Sequence, residues 1–564
     1  MTLNEFQIIS QRLQEDRLGK EKDWTKWEKQ YMETLPHRTG VGGEEIPTIN
    51  LNETFRAIYT CTRYTVRGFW NSNRLYRTKA VGKDDIALAE WLDFYITHKV
   101  KHIPDIFQTM LFITQQNYTL GSTAGKFTKT GKGEFSLDYV SNFDIWKDTE
   151  ATKYSDIRYI MHRIPLSKKE LLQRVDEGKY DGKAVNEYLE KVADKDKKAE
   201  IKDRKDYELH ELWRFDDKWN VTTAGAYSNE EIKGDTVTVL RDEKSDLIYG
   251  HPFCFGFDIP SLFSPFDGYG EAEILRDLQE GENRLFNLNL DFIQSSIRPP
   301  VIVEPDAIAD TADLELLMTP ESGGVIRVEN IGRIKPWLPQ NLSPLSFGMI
   351  SQLGKLADDM SGIPGIIHGE EPAKREPGMT TARRTELAQG TLGFKMLIFG
   401  ETFLKQLGQK MLMSVLDDPP ERELLRLTGI TPKTYLQVQT GTPGIKTETQ
   451  TFGGEDVRVL IATLNRIDKK EIKKFFDIEI RPAFLEEPNE AKADRYLKIL
   501  QILAQFFQID PSLKVWVNMR NILRQVLQTQ GMEIENALRS PEEAMKLFIQ
   551  MAQQGGAGGT ERQG

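Results

Sequence analysis

The chain has 564 residues, of which 39% are hydrophobic and 28% charged, and a formal net charge of −11. That length calls for several subdomains. The acidic balance aids solubility and opposes tight general binding to DNA, whose affinity comes mainly from basic patches and counterion release, though DNA remains open as a passing substrate that an acidic wall would not hold. Two cysteines, Cys61 and Cys254, cannot build a disulfide framework and point to a reducing compartment. The N-terminus lacks the apolar core of a secretory signal, and no run of about 18 apolar residues predicts a membrane span.

Residues 1–110 read as mainly helical: a charged amphipathic stretch from Phe6 to Trp27, a Gly-rich loop over Arg38–Asn50, then helices over Leu51–Trp70, Asp84–Val100 and Ile103–Leu120. From about Gly121 the pattern changes. Residues 126–146 are rich in Thr, Phe, Tyr and Val with Gly turns, which predicts strands. Ser167 followed by Glu170 is a capping box opening a short helix over Ser167–Val175. Glu177–Lys205 reads as charged, mostly helical, solvated surface. Tyr207–Trp219 and Thr236–Tyr249 read as strands, with Trp213 and Trp219 as sheet-face core residues rather than a ligand box.

The most informative stretch runs from Asp267 to Leu416. A helix opens after Gly-Tyr-Gly-Glu (268–271) and continues to Arg298, where Pro299 and Pro300 end it. Its length is about 42 Å at about 1.5 Å per residue. A small insert follows, with β-type runs at Val301–Glu304 and Gly323–Asn330. A second helix covers Leu345–Met360, a charged Gly/Pro-rich loop Gly362–Gly378, and a third helix Thr380–Leu416. Gly390, Gly393, Gly400 and Gly408 lie in that last helix, where each costs roughly 1 kcal/mol if exposed, so a close crossing or a kink is expected. Asp417-Asp-Pro-Pro420 breaks it. Beyond, a short helix and strands around Val457–Leu464 and Phe475–Ile480 precede three helices, Glu490–Phe507, Ser512–Gln530 and Pro541–Gln553, and a Gly-rich tail.

No catalytic signature emerges. His98 and His102 have the i, i+4 spacing of a zinc pair, but Lys99 follows the first, no glutamate base lies between them and no cysteine is near in sequence; a surface helix is the plainer reading. Gly121-Ser-Thr-Ala-Gly125-Lys126 is one residue short of a phosphate loop, has Phe127 where Ser or Thr would reach magnesium, and reads as a turn. Asp258 and Asp267 have no obvious partner, and Asp417 and Asp418 read as a solvated helix end.

The order of these elements resembles a portal protein of tailed bacteriophages, the head-to-tail connector of the short-tailed-phage type. Three stretches carry the resemblance. The first is Tyr139-Val-Ser-Asn-Phe-Asp-Ile-Trp-Lys-Asp-Thr-Glu-Ala151, with Asp156–Arg163 and Leu166–Leu172. The second is Phe266-Asp-Gly-Tyr-Gly-Glu271 leading into a helix with Asn283, Asn287 and Asn289, then Arg298-Pro-Pro-Val-Ile-Val303. The third is Ser361-Gly-Ile-Pro-Gly365 with Met379-Thr-Thr-Ala382. No single motif is diagnostic; the combination and its spacing over roughly 130–510 carry the likeness.

The resemblance implies a mixed α+β portal-type fold and a ring, usually of twelve subunits, at one capsid vertex. It implies a wing over 1–265 and 380–485, stem helices at 266–298 and 344–361, a β-rich clip at 299–343, a tunnel loop at 362–379, a helical crown at 486–554 and a flexible tail at 555–564. The implied role is passage of double-stranded DNA during packaging, retention and ejection. The implied partners are the terminase large subunit, a tail adaptor or head-completion protein, and the major capsid and scaffolding proteins, with no membrane, cofactor, metal or enzymatic activity. The protein would assemble in the host cytoplasm and reside in the virion. Within that frame, Glu370, Glu371, Lys374, Arg375 and Glu376 form the charged tip of the loop facing DNA, unless the loop lies on a surface away from the channel. Trp337 and Leu338, between two prolines, contact the motor or tail adaptor, or else a neighbouring subunit. Leu275, Leu278, Leu285, Phe292 and Ile293 form an apolar stripe for packing between subunits or within the chain. Two other functions compete: a tail or neck structural adaptor, and a subunit of a nucleic-acid-processing enzyme.

Overall fold

A computed structural model describes residues 2–32, 38–39, 45–46, 48–71, 75–80, 86–193, 207–226, 237–262, 264, 266–297, 301–303, 334–336, 344–363, 390–418 and 476–480. The fold is mixed helix and sheet. Helix α1 (Leu3–Met32) buries Phe6, Leu13, Trp24 and Trp27. Its Arg17 is also buried: the guanidinium donates to the carbonyls of Asn142 (3.0 Å), Phe143 (2.9 Å) and Ile145 (2.8 Å) and stacks 3.8 Å from the Trp146 ring. Those bonds compensate the burial of its charge. The expected loop after α1 holds a two-residue pair, β1 (Arg38–Thr39) with β2 (Glu45–Ile46).

Helices α2 (Glu53–Asn71), α3 (Ile86–Lys101) and α4 (Ile106–Leu120) fall where apolar periodicity places them. Between α2 and α3 lies a strand that the sequence did not announce, β3 (Tyr76–Ala80), paired antiparallel with Phe476–Ile480 at the far end of the described chain. The second of these strands matches the expected run at Phe475–Ile480.

The segment read as a turn at Gly121–Lys126 is corrected by the structure. Gly121 ends α4 with φ 77°, and β4 (Ser122–Gly131) begins at the next residue. A side chain at Gly121 would be strained by that φ, and its Cβ would lie 2.2 Å from the Gly268 carbonyl oxygen. β4 turns into β5 (Glu134–Val140) and also pairs with β11 (Phe253–Phe257), giving the sheet order β11-β4-β5.

The second sheet is antiparallel, with order β10-β9-β8-β7-β6. It contains β6 (Ile145–Lys147), β7 (Tyr159–Leu166), β8 (Tyr207–Phe215), β9 (Trp219–Ala226) and β10 (Thr238–Lys244). The single strand expected over Tyr207–Trp219 is thus a hairpin that turns at Asp216–Lys218. Trp213 is buried, and Trp219 is half-buried against the same cluster, edge-on to His251 with centroids 5.0 Å apart. The sheet-face reading of both holds. Helix α5 (Lys168–Asp176) carries both halves of the Ser167/Glu170 capping box. Helix α6 (Gly182–Ala193) is not wholly solvated, because Val185 and Tyr188 are buried against Leu171 and Leu209.

Helix α7 (Glu271–Ile297) begins directly after a short pair, β12 (Ile259–Pro260) with β13 (Gly268–Tyr269). After it, β14 (Val301–Val303) pairs antiparallel with β15 (Ile334–Pro336), joining the two ends of the insert. Helix α8 (Pro344–Ser361) returns against α7. The third long helix is described from residue 390. It is α-helical over 390–399, widens to a π turn at Gly400–Leu404 and resumes as Lys405–Asp417. The irregularity expected from its glycines is present: the π turn starts at Gly400. At Gly408 the helix meets β3 so closely that a Cβ would lie 2.4 Å from the Tyr76 ring.

The largest core cluster gathers α3, α4, β3, β4, β5 and this last helix around Tyr76, Phe127, Phe399, Phe403 and Met411. Gln406 seals the helix to the sheet by accepting from the Phe255 N–H (3.1 Å) and donating to its carbonyl (3.0 Å). No helix among the described residues is long and apolar enough to cross a membrane.

Candidate functional site

The described elements converge where α7 starts, α8 ends and the 390–417 helix enters the core. This is the root of the 364–389 segment, whose two flanks are α8 and the last helix. Lys395 lies on an otherwise apolar stripe with Leu392, Met396 and Phe399 and is buried. Its ammonium donates to Glu271 Oε1 and to the Ser361 carbonyl at 2.9 Å. Glu271 opens α7, where the helix dipole favours a carboxylate. Ser361 closes α8, and Gly362 follows with φ 69°. The Ile363 N–H then donates to the Asp358 carbonyl at 3.1 Å. One cation therefore fixes both flanks of the segment to the head of α7.

Asp258 completes the knot. It is fully buried, and as carboxylates its two oxygens and Glu271 Oε2 would find no donor among the described residues, whereas a proton on Asp258 lets it donate to Glu271. Burial, reinforced by the Glu271 charge, pushes the Asp258 carboxyl well above the ordinary range. Glu271 is raised as well, by burial, with Lys395 opposing. Burial alone would lower Lys395, but the Glu271 charge outweighs it and the ammonium is held above its usual value. The consistent charge state is Lys395 positive, Glu271 negative and Asp258 neutral. Cys61 lies near this knot, and burial pushes its thiol up, so it is unreactive there. Nothing in the arrangement provides an exposed nucleophile or an accessible base; it is a fastening.

Two further contacts position α7. Gln279, Asn283 and Asn287 recur every fourth residue on one buried face. Gln279 Oε1 accepts from the Thr54 N–H (2.9 Å), Asn283 Oδ1 from Leu51 (2.7 Å) and Asn287 Oδ1 from Ile49 (3.0 Å), while Asn287 Nδ2 returns a bond to the Ile49 carbonyl (2.8 Å). The extended chain entering α2 is thereby held along α7. On the α8 side, Arg56 bridges Glu53 (2.6 Å) and Asp358. Glu282 faces Gly354 of α8, and burial together with Glu53 pushes its carboxyl up to about 7.

The residues singled out from sequence divide. Leu275 is buried within the chain itself; Leu278, Leu285 and Phe292 are half-buried, and Ile293 is exposed. The apolar surface of the α7–α8 pair also includes Leu288, Met349, Leu356 and Met360, which the stripe missed; with Ile293 they are each between 39% and 52% exposed. Glu370, Glu371, Lys374, Arg375 and Glu376 lie outside the described residues, as do Trp337, Leu338, the strands at 323–330 and 457–464, residues 380–389, and the chain from 481 onward.

Asp267, read as unpartnered, is paired with Lys20 and with Lys147 (3.2 Å), which hold its carboxyl far below the ordinary range against the effect of burial. Asp418 is also more than a solvated helix end, because Lys129 (3.2 Å) and Lys132 (3.0 Å) bridge to it. His98 and His102 stack with centroids 4.0 Å apart, and no group of three or more metal-ligating side chains occurs among the described residues. Sequence reasoning missed the knot, and it singled out Asn283 and Asn287 without Gln279 and without the role of the amide row. The signals were a lysine on an apolar stripe and amides at four-residue spacing.

The family described as Phage SU10 portal protein matches residues 68–434, more than half of the chain. No curated protein matches it.

Proposed function

The chain belongs to the Phage SU10 portal protein family, a structural family of short-tailed phages, and from that membership we propose that it forms a closed ring, of twelve subunits by the family's usual count, at one capsid vertex. In this reading α7 and α8 are the stem, and 299–343 is the clip whose base is the β14–β15 pair. Residues 1–265 and 380–485 are the wing, 362–379 the tunnel loop and 486–554 the crown. The ring admits DNA under the packaging motor, retains it and passes it to the tail. It docks the terminase large subunit and later a tail adaptor, within a shell of major capsid and scaffolding proteins.

The observation that carries the ring is the open apolar surface of the α7–α8 pair. Leu288, Ile293, Met349, Leu356 and Met360, on two helices that pack together, leave much of their surface in water within one chain, and large apolar side chains exposed in this way suit an association site. A heterologous contact that closes on itself gives a ring, in which each neighbour covers the next copy equally. The knot at Lys395 fits the same reading, since it anchors both flanks of the tunnel loop to a stem helix.

End-on electron micrographs of the purified protein test the ring: particles with a central hole are expected, and a homogeneous monomer at micromolar concentration overturns it. Replacing Glu370–Glu376 with a Gly/Ser linker should leave rings intact and reduce the yield of filled particles. Trp337→Ala should weaken adaptor binding without loss of the ring.

A further inference from the structure

Helix α2 turns one stripe outward: Phe55, Tyr59, Arg63, Arg67 and Trp70, all exposed. At one end Phe55 lies between Tyr31 and Tyr59, with centroids 5.4 and 5.8 Å away. At the other, Trp70 meets exposed Phe107 edge-on at 5.4 Å. Between them the Arg63 guanidinium lies 5.1 Å from the Tyr64 ring, and neither Arg63 nor Arg67 has a carboxylate partner among the described residues. An acid-free stripe of arginines flanked by aromatics, about 22 Å long at about 1.5 Å per residue, is unusual on a chain of net charge −11. Tyr, Trp, Phe and Arg are also the residues that interfaces favour.

Helix α7 presents the opposite sign. Its outward stripe carries Glu273, Asp277, Glu280, Arg284 and Leu288. Asp277 bonds its neighbour Arg276 at 3.0 Å, and both lie in solvent. Glu273 is raised by partial burial and then by Asp23, a like charge on α1. The centre of the stripe is thus acidic, and its far end is apolar at Leu288. Helices α2 and α7 pack against each other through their buried faces, as the Thr54–Gln279 bond records. Their outward stripes therefore lie on different faces of the subunit, which a head-to-tail contact requires.

We propose that the α2 stripe of one subunit docks on the outward α7 stripe of the next copy of this chain, with Arg63 and Arg67 opposite Asp277 and Glu280. The inference rests on the ring reading and names the surfaces that would build it. Opposite charges would set register and exclude the same-face pairing that two arginine stripes would resist, while the aromatic ends supply the desolvated anchors.

Charge exchange tests it. Variant one carries Arg63→Glu and Arg67→Glu; variant two carries Asp277→Lys and Glu280→Lys. All four positions are exposed, so each variant should keep the wild-type circular dichroism and melting profile. By mass photometry, each variant alone should give at least about tenfold less ring than wild type, because like charges meet at every contact. An equimolar mixture of the two should regain rings with alternating subunits, and one chain carrying all four changes should regain rings by itself.

Rings from variant one alone overturn the inference while leaving the ring reading intact. So does failure of both the mixture and the fourfold variant. Intact rings from variant one that retain duplex DNA less well assign the stripe to nucleic acid instead, and likewise overturn it. Absence of rings in the wild type overturns the ring reading itself.

Discussion

Removing the buried ammonium of Lys395 gives the sharpest expectation. Lys395→Met keeps the length and apolar stem of the side chain and deletes the charge, leaving Glu271 Oε1 and the Ser361 carbonyl without their donor. A buried charge stripped of its partner costs about 3–5 kcal/mol. Glu271 has a cheaper route at low pH, which is to take up a proton. For Glu271, the solution at pH 7 lies 2.5 pH units above the ordinary glutamate value of 4.5. At about 1.36 kcal/mol per unit, neutralising it costs about 3.4 kcal/mol. The orphaned carbonyl adds about 1 kcal/mol. The loss is therefore about 4 kcal/mol at pH 7, falling to about 2 kcal/mol at pH 5.5, where protonation costs only about 1.4 kcal/mol. Hydrogen exchange at the Ile363 amide, which closes α8, reads the local opening free energy directly. The difference between variant and wild type should shrink with falling pH, and adding Glu271→Gln should remove that pH dependence. A difference that is the same at both pH values, or below about 1 kcal/mol at pH 7, would refute the assignment of Glu271 as the charged partner.

Glu282 should give the α7–α8 pair its own pH response. Its carboxyl is raised to about 7, so its contribution is fully present below pH 4.5 and is lost as pH rises through about 7; Glu282→Gln should flatten that part of the melting-temperature profile. Gly408→Ala should destabilise by about 1–3 kcal/mol in thermal melts, because the Tyr76 ring it meets is held by a 3.0 Å bond from its hydroxyl to the Leu404 carbonyl. Gly281→Ala, where a Cβ meets nothing within 4 Å, should instead be neutral or stabilising by up to about 1 kcal/mol. Asn283→Ala should release the chain entering α2 and speed proteolytic cleavage near residues 48–52 while the three-stranded and five-stranded sheets stay intact.

The helices were legible because each buries one face, and burial writes a 3.6-residue period into the sequence. The end of α7 at Ile297, just before the expected stop, and the Ser167 cap were legible because proline and a capping box act locally. Other features depended on distant partners. β11, Phe-Cys-Phe-Gly-Phe, is buried on both faces and shows no alternation. β3, Tyr-Arg-Thr-Lys-Ala, has a basic composition that suggests surface until its partner is known. The hairpin at Asp216–Lys218 was available in principle, since Asp-Asp-Lys is turn chemistry, but Trp219 was read as continuing the strand. The Asp258–Glu271–Lys395 knot joins three segments, and no local pattern registers a charge compensated across that separation. Lys395 alone left a trace, as a cation on an apolar stripe.

The pairing of Tyr76–Ala80 with Phe476–Ile480 sets an order on biosynthesis. The first strand leaves the ribosome early; the second follows after nearly four hundred further residues. At roughly 5–20 residues per second, the backbone donors and acceptors of the first strand wait on the order of half a minute for their partner. Nascent chains stalled before residue 476 have an open edge beside a helix whose Gly408 was shaped to fit against it. The delay costs little at equilibrium, since closing a longer loop adds only about 0.6 kcal/mol per doubling. Its effect is temporal: a translation product that stops before residue 476 lacks the strand that pairs with Tyr76–Ala80.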